Sequence, residues 1–313
     1  MKVAVVGCGS IGSRYVHWLS ELGVDVIACD SDSQRLNQFE SLERVTSVKT
    51  LDQVLTIQPH RMIVATPPNA HADVACAALK VGIDVLIEKP IASTIKDAER
   101  IVDAAKRSQC QAWVVCNMRF HDGPQMLKKH MDKIGTPLFA RVHFGHRLSQ
   151  MRPAGTNVFA SSSDEGGGVI LDCIHEIDYL QWLFGEIDMV DSWIGQIGPE
   201  KINAEDFAEI RLQFKNGVRV TAHFDFLMRR KRRGAEIIGS EGNLIWYSEG
   251  KNPEDCSVTF GDNHSEEILL HNPKIDSFAG YIRMLHDFLE DGENLQTVDE
   301  GMRALSVAIK AKG

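Results

Sequence analysis

Two architectures in succession are predicted for this chain. Residues 1–118 read as an α/β unit with a doubly wound parallel sheet, and residues 119–313 as an α+β domain with an open, mostly antiparallel sheet. Three observations carry the prediction. Small β-branched residues run into a glycine-rich turn at the start, and strands alternate with helices to about residue 118. After that, strands follow one another without intervening helices.

The first strand, Val3–Val6, ends in Gly7-Cys8-Gly9-Ser10-Ile11-Gly12, and an amphipathic helix with Ile11, Tyr15, Trp18, Leu19 and Leu22 follows. A second strand, Val26–Cys29, ends in Asp30. This is the order that a dinucleotide-binding βαβ unit, the Rossmann fold, requires. Gly7 permits the tight turn, Gly9 lets backbone N–H groups approach a pyrophosphate, and Gly12 allows close packing of helix on strand. The helix N-terminus favours the phosphates. Asp30 suits the 2′-OH of an adenosine ribose and repels a 2′-phosphate, so NAD is expected rather than NADP. Arg35 either lies over the adenine or is a solvated helix charge.

The alternation continues through a short helix capped by Asp32 or Ser33 and a strand at Arg61–Ala65. The turn Thr66-Pro67-Pro68-Asn69 leads to a helix ending at Gly82. The strand Asp84–Glu88 runs into Lys89-Pro90, and Thr94–Asp97 resembles a capping box for the next helix. A last apolar strand spans Gln111–Asn117. Beyond residue 120, Pro124 opens a helix through Leu127, Met131 and Ile134 to Gly135, and Leu138–His146 alternates as a half-exposed strand. Residues Arg147–Glu165 form a long candidate lid or binding loop. A helix is expected over Val169–Phe184. Strands follow at Val190–Ile197, Phe207–Phe214, Val218–Phe226, Ala235–Gly239 and Leu244–Tyr247, with closing helices around Ser277–Leu289 and Asp299–Lys310.

Composition narrows the function classes. Hydrophobic residues make up 43% and charged residues 25% of 313 positions, as in a soluble globular protein. No apolar run reaches membrane-spanning length, and no basic-then-apolar leader is expected ahead of Val3. The net charge of −9 argues against a nucleic-acid partner. Seven cysteines lack metal-ligand spacing, so no metal site is expected. Cys29, Cys76, Cys116 and Cys173 sit in apolar patterns and read as core residues of a reducing cytoplasm. Cys8 occupies a variable place in the glycine loop and need not be reactive. The run Arg229–Arg233 is either a solvated turn or a holder of a substrate anion.

Two places carry candidate chemistry. Glu88-Lys89-Pro90 lies at a strand's carboxyl end, where ligands bind in open α/β sheets, and a lysine there can polarise a substrate oxygen. A plain turn is the alternative. On the helix at 169–184, Asp172, His175, Glu176 and Tyr179 form a polar stripe, preceded by three glycines. A carboxylate beside an imidazole makes an acid–base pair. A solvated polar face is the alternative.

The glycine motif, Thr66-Pro67-Pro68-Asn69 with His71, Glu88-Lys89-Pro90, Asn117-Met118-Arg119-Phe120 and Gly166–Asp178, in that order, resemble the Gfo/Idh/MocA oxidoreductases. The resemblance spans nearly the whole chain. It implies NAD(P)-dependent hydride transfer to or from a sugar, cyclitol or sugar nucleotide, in a homodimer or homotetramer joined through the C-terminal sheet. It implies Lys89, Asp172 and His175 as the catalytic set, with His175 as base, Asp172 orienting it and Lys89 stabilising an alkoxide. The expected cofactor contacts are the glycine loop, Asp30, Arg35, Thr66, Pro67, Pro68, Asn69, His71, Glu88 and Lys89. Arg119, Arg152 and Glu176 are the expected substrate contacts.

One departure stands out. Many members read Asp-x-x-x-His, whereas here His175 is three residues after Asp172 and Glu176 takes the fourth place. On an ideal helix that turns the imidazole by about 100°. Either local geometry compensates or the base role passes partly to Lys89 or Asp172. The Gly166–Tyr179 segment resembles a branch associated with cell-surface polysaccharide sugars. Two further activities fit the same residues: glycoside hydrolysis through transient oxidation with NAD retained, and a non-catalytic NAD-binding regulator.

Overall fold

The computed structural model describes residues 1–151, 167–250, 252 and 254–313, and divides into two compact units. The first comprises Met1–Val115 and Leu285–Leu305, the second Cys116–Met284 and Ser306–Gly313. The chain therefore returns to the first unit near its end. Among the described residues no helix is long and apolar enough to cross a membrane.

The first unit runs β1 (Lys2–Val6), α1 (Ser10–Glu21), β2 (Asp25–Cys29), α2 (Ser33–Asn37), β3 (Val45–Val48), α3 (Leu51–Ile57), β4 (Arg61–Val64), α4 (His71–Lys80), β5 (Asp84–Ile87), α5 (Ile95–Arg107) and β6 (Ala112–Val114). The parallel strands order as β6-β5-β4-β1-β2-β3. The order reverses between β1 and β4, beside the glycine turn, and such switch points are where open α/β sheets bind ligands. Val3, Ala4 and Val5 are fully buried, as a strand covered on both faces requires. Strand β3 and helix α3 escape sequence reading because Val45–Val48 is short and half exposed. Helix α3 nonetheless carries a complete capping box from Thr50 and Gln53.

The second unit continues with α6 (Asp122–Lys129), β7 (Pro137–Gly145), α7 (Leu148–Met151), α8 (Val169–Asp172), α9 (Ile174–Phe184), β8 (Ile187–Gly195), β9 (Phe207–Phe214), β10 (Arg219–Asp225), β11 (Arg232–Gly239), β12 (Asn243–Gly250), β13 (Glu254–Gly261) and β14 (Glu266–Ile275). These strands order as β14-β13-β12-β11-β7-β10-β9-β8, antiparallel except where β7 pairs with β10. Ala140, Val142 and Phe144 of β7 face inward while Arg141 faces out. The outward face exposes Trp193, Tyr247 and Ile268. Strand β14 hides in the sequence because it is polar and contains Pro273, as edge strands tolerate. Helix α6 stops at Lys129, and Met131–Ile134 form a separate 3₁₀ turn before Gly135 at φ +68°.

The chain closes with α10 (Ala279–Leu289), β15 (Gln296–Thr297) and α11 (Val298–Lys312). Strand β15 pairs antiparallel with β6 and completes the first sheet. Phe288 meets the Trp113 ring edge-on, and the Arg61 guanidinium lies over both rings while donating to Glu290 O at 2.7 Å. Only the folded chain reveals this fastening, because its partners stand about two hundred residues apart.

Candidate active site

The glycine turn has the geometry of a phosphate cradle. Gly7 adopts φ +94°, and a Cβ there would lie 2.5 Å from Ala65 O. A Cβ on Gly12 would lie 1.8 Å from Gly7 O, which is why only glycine lets α1 sit this close to the turn. Gly9 differs: its nearest neighbour is Arg35 Nη1 at 4.0 Å, so the backbone there is open to a ligand. No side chain caps α1, and no acid stands in its first turn. Its positive end is thus left for an anion. These residues fit a dinucleotide.

Asp30 is buried at the end of β2. Its Oδ2 accepts from Cys8 N at 2.8 Å and its Oδ1 from Asp32 N at 2.9 Å, so it ties the glycine loop to the second strand. Arg35 Nη1 lies 3.4 Å from Asp30 Oδ2, and its Nε 3.6 Å from Asp32 Oδ2. Burial, with the nearby Asp30 charge, pushes the Cys8 thiol up to about 12, so it is not a thiolate at neutral pH. Ser10 is exposed and Ile11 half-buried, both at the start of α1.

At the end of β4, Thr66 keeps a buried Oγ1 without a hydrogen-bond partner among the described residues. Pro67 and Asn69 are exposed and Pro68 is buried in a 3₁₀ turn. His71, an expected cofactor contact, faces the protein's own backbone. It is fully buried, with Nε2 2.8 Å from Thr66 O and Nδ1 3.0 Å from Pro90 O and 3.3 Å from Ile91 O. Burial pushes its pKa below the ordinary imidazole value against the pull of these carbonyls. Glu88 is likewise committed within the protein. Tyr15 OH donates to its Oε1 at 2.5 Å and Lys89 N–H to its Oε2 at 3.0 Å. Lys89 is half-buried and precedes Pro90 through a cis peptide bond.

In the second unit the polar stripe is not a solvated face. Asp172, His175, Glu176, Asp178 and Tyr179 are all buried. Nor is the helix continuous: it breaks at Cys173 (φ −92°, ψ 17°), between Asp172 and His175. Ideal-helix rotation therefore does not govern their relation, and the short spacing coincides with the break. The glycine entry is packed rather than loose. Gly168 sits at φ +105°, where a Cβ would meet the Glu205 carboxylate, and Val169 N donates to Glu205 O at 3.0 Å.

Arg119 and Glu176, two of the expected substrate contacts, each make an ion pair within the second unit. Arg119 is buried in a two-pronged ion pair with Asp178, Nη2 2.6 Å from Oδ1 and Nε 3.2 Å from Oδ2. Glu176 is fully buried, its Oε1 2.7 Å from Arg233 Nε. Buried ions persist when paired, and each of these two pairs keeps its charges compensated. The basic run is no turn from Arg232 onward but the head of β11, and its side chains alternate. Arg232 faces out to Glu249 at 3.0 Å, while Lys231 pairs with buried Glu254 and Arg233 stacks 3.8 Å from the Phe144 ring centre. Arg152, and the expected loop beyond Met151, lie outside the described residues.

One residue that sequence reading missed is His146. It is buried, its Nε2 lies 3.6 Å from Asp172 Oδ2, and its ring packs 5.1 Å from those of Phe144 and Phe226. Its Nδ1 has no hydrogen-bond partner among the described residues. The signal was present: His146 continues the inward phase of Ala140, Val142 and Phe144. Asp172, His175 and His146 thus belong to the second unit, and the glycine turn, Asp30, Thr66 and Lys89 to the first.

A nucleotide cradle at the switch point of a parallel sheet, joined in one chain to a mostly antiparallel sheet domain, defines an NAD-binding oxidoreductase. Residues 1–116 match the oxidoreductase family with NAD-binding Rossmann fold, and residues 125–245 match the GFO/IDH/MocA C-terminal domain. The chain belongs to the Gfo/Idh/MocA family. Among its relatives, D-apiose dehydrogenase of Paraburkholderia graminis is 26% identical over 257 residues, 78% of this chain and 66% of that protein. The 1,5-anhydro-D-fructose reductase of Ensifer adhaerens is 27% identical over 320 residues, 97% of this chain and 93% of that one. The crystal structure of the WlbA dehydrogenase from Bordetella pertussis, in complex with NADH and UDP-GlcNAcA, shares the fold. Its TM-score is 0.82 at 20% identity, covering 100% of this chain and 94% of that chain.

Proposed function

We propose that this protein transfers a hydride between NAD and a carbinol or carbonyl carbon of a sugar or sugar nucleotide. The observation that carries the chemistry is the buried Asp172 carboxylate, at ion-pair distance from His146 and just ahead of His175. NAD, when bound, supplies the hydride acceptor. The amides around Gly9 and the α1 N-terminus would hold its pyrophosphate, and Asp30 would receive the ribose hydroxyl. His175 takes the substrate hydroxyl proton, and Asp172 supports the imidazolium that forms. Lys89, just past the carboxyl end of β5, would supply positive charge to a developing oxyanion. The relatives reported above, a dehydrogenase and a reductase, support net oxidation or reduction over NAD-retaining hydrolysis or a purely regulatory role.

The reading extends to assembly and setting. The outward face of the second sheet, with exposed Trp193, Tyr247 and Ile268, would join copies into a homodimer or homotetramer. Seven free cysteines, four of them in the apolar patterns noted above, support a reducing cytoplasm. The test is a panel of sugars and nucleotide sugars offered with NAD while NADH is followed. NADH formed in proportion to carbonyl product supports the reading. Release of free sugar with no net NADH would contradict it.

A further inference from the structure

We infer that His71 is a positioning residue for Lys89: its buried ring fastens the turn after β4 to the loop after β5 and so sets where the lysine stands. The inference rests on the role proposed above for Lys89. Strands β4 and β5 are neighbours in the parallel sheet, and their carboxyl ends carry Thr66 and Lys89. His71, the first residue of α4, sits between these ends with no exposed surface. Its ring nitrogens face backbone carbonyls, Nε2 toward Thr66 O at 2.8 Å and Nδ1 toward Pro90 O at 3.0 Å and Ile91 O at 3.3 Å; the neutral ring has one N–H, which on Nδ1 donates toward Pro90.

The last two carbonyls belong to the residues directly after Lys89. On its other side the Lys89 amide donates to Glu88, which Tyr15 holds in turn. The lysine backbone is thereby fixed from both directions. Such fixing matters because misplacement of a reacting group by about 1 Å can cost about 100-fold in rate.

The two ring nitrogens allow a discriminating test, because amide side chains copy them one at a time. Asparagine puts a donor where Nδ1 stands, toward Pro90 and Ile91. Glutamine puts one where Nε2 stands, toward Thr66. The expected result is that His71→Asn keeps kcat and its pH profile. His71→Gln keeps NADH affinity but loses about 10- to 100-fold in kcat, with a displaced pH profile. A purely structural residue would give two variants alike in melting temperature, with kcat and pH profile unmoved. Wild-type kcat and pH profile in His71→Gln would overturn the inference.

Should neither variant fold, amide exchange of the wild-type protein decides. Segments 66–70 and 89–93 open as one unit under this inference, and independent opening of 89–93 overturns it. Lys89→Ala in the same assay separates the two layers. Intact turnover there removes the role of Lys89 itself. Lost turnover there, with an unaffected His71→Gln, removes only the role of His71.

Discussion

His146 Nε2 stands 3.6 Å from Asp172 Oδ2, and both side chains are buried. One carboxylate thus serves an imidazole at the end of β7 while lying just ahead of His175 at the start of α9. Groups that act as a unit are non-additive when removed. Asp172→Asn is expected to lower kcat by about 10²- to 10⁴-fold. His146→Ala added to it should cost little more. Steady-state kinetics of the single and double variants check this, and fully multiplicative losses would dissolve the unit.

The Arg119–Asp178 pair predicts loss of stability rather than of substrate affinity. Breaking a buried pair leaves an uncompensated charge and typically costs about 3–5 kcal/mol. Arg119→Ala should therefore lower the denaturation midpoint sharply, with no selective rise in KM at temperatures where it stays folded. A normal midpoint with a raised KM would return Arg119 to the substrate.

Asp30 should set cofactor choice. Its carboxylate is anchored by two backbone amides, with Arg35 resting against it. Wild-type protein is expected to bind NADH more tightly than NADPH. Asp30→Ser, which removes the repelling charge and leaves Arg35 in place, should narrow or invert that ratio. Fluorescence titration with both nucleotides measures it, and an unchanged ratio would place discrimination elsewhere.

The second sheet predicts a pH response. A hydrogen bond to Asp225, and another to Glu209, hold the His223 pKa at about 9 despite partial burial. A pKa raised above the ordinary 6.5 means that the folded protein binds the proton more tightly than the unfolded chain. The stabilisation is complete below pH 6.5 and fades as pH rises through about 9. Thermal melts of wild type and His223→Gln across this range should diverge at low pH and converge at high pH. A gap that widens with rising pH would contradict the assignment.

The nucleotide cradle was legible because each glycine answers a local steric demand that shows in the sequence. Gly7 and Gly12 meet the steric demands their spacing indicated, and Asp30 lies where the second strand ends. The polar stripe on the later helix was legible as a cluster but not as geometry, since the break at Cys173 has no proline or glycine to announce it. The buried partners of Arg119 and Arg233 did not show in the sequence, because Asp178 and Glu176 are supplied by another element. Nor did the surroundings of His71, whose ring faces the backbone carbonyls of Thr66, Pro90 and Ile91. Residues Leu285–Leu305 returned to the first unit through ring packing and one short strand, neither of which leaves a periodic trace.

The most direct measurement is Lys89→Ala on the best substrate of the panel, with NADH affinity and turnover determined on the same preparation. The account predicts NADH binding close to wild type and turnover lower by about 10²-fold or more. Undiminished turnover with intact binding would contradict it.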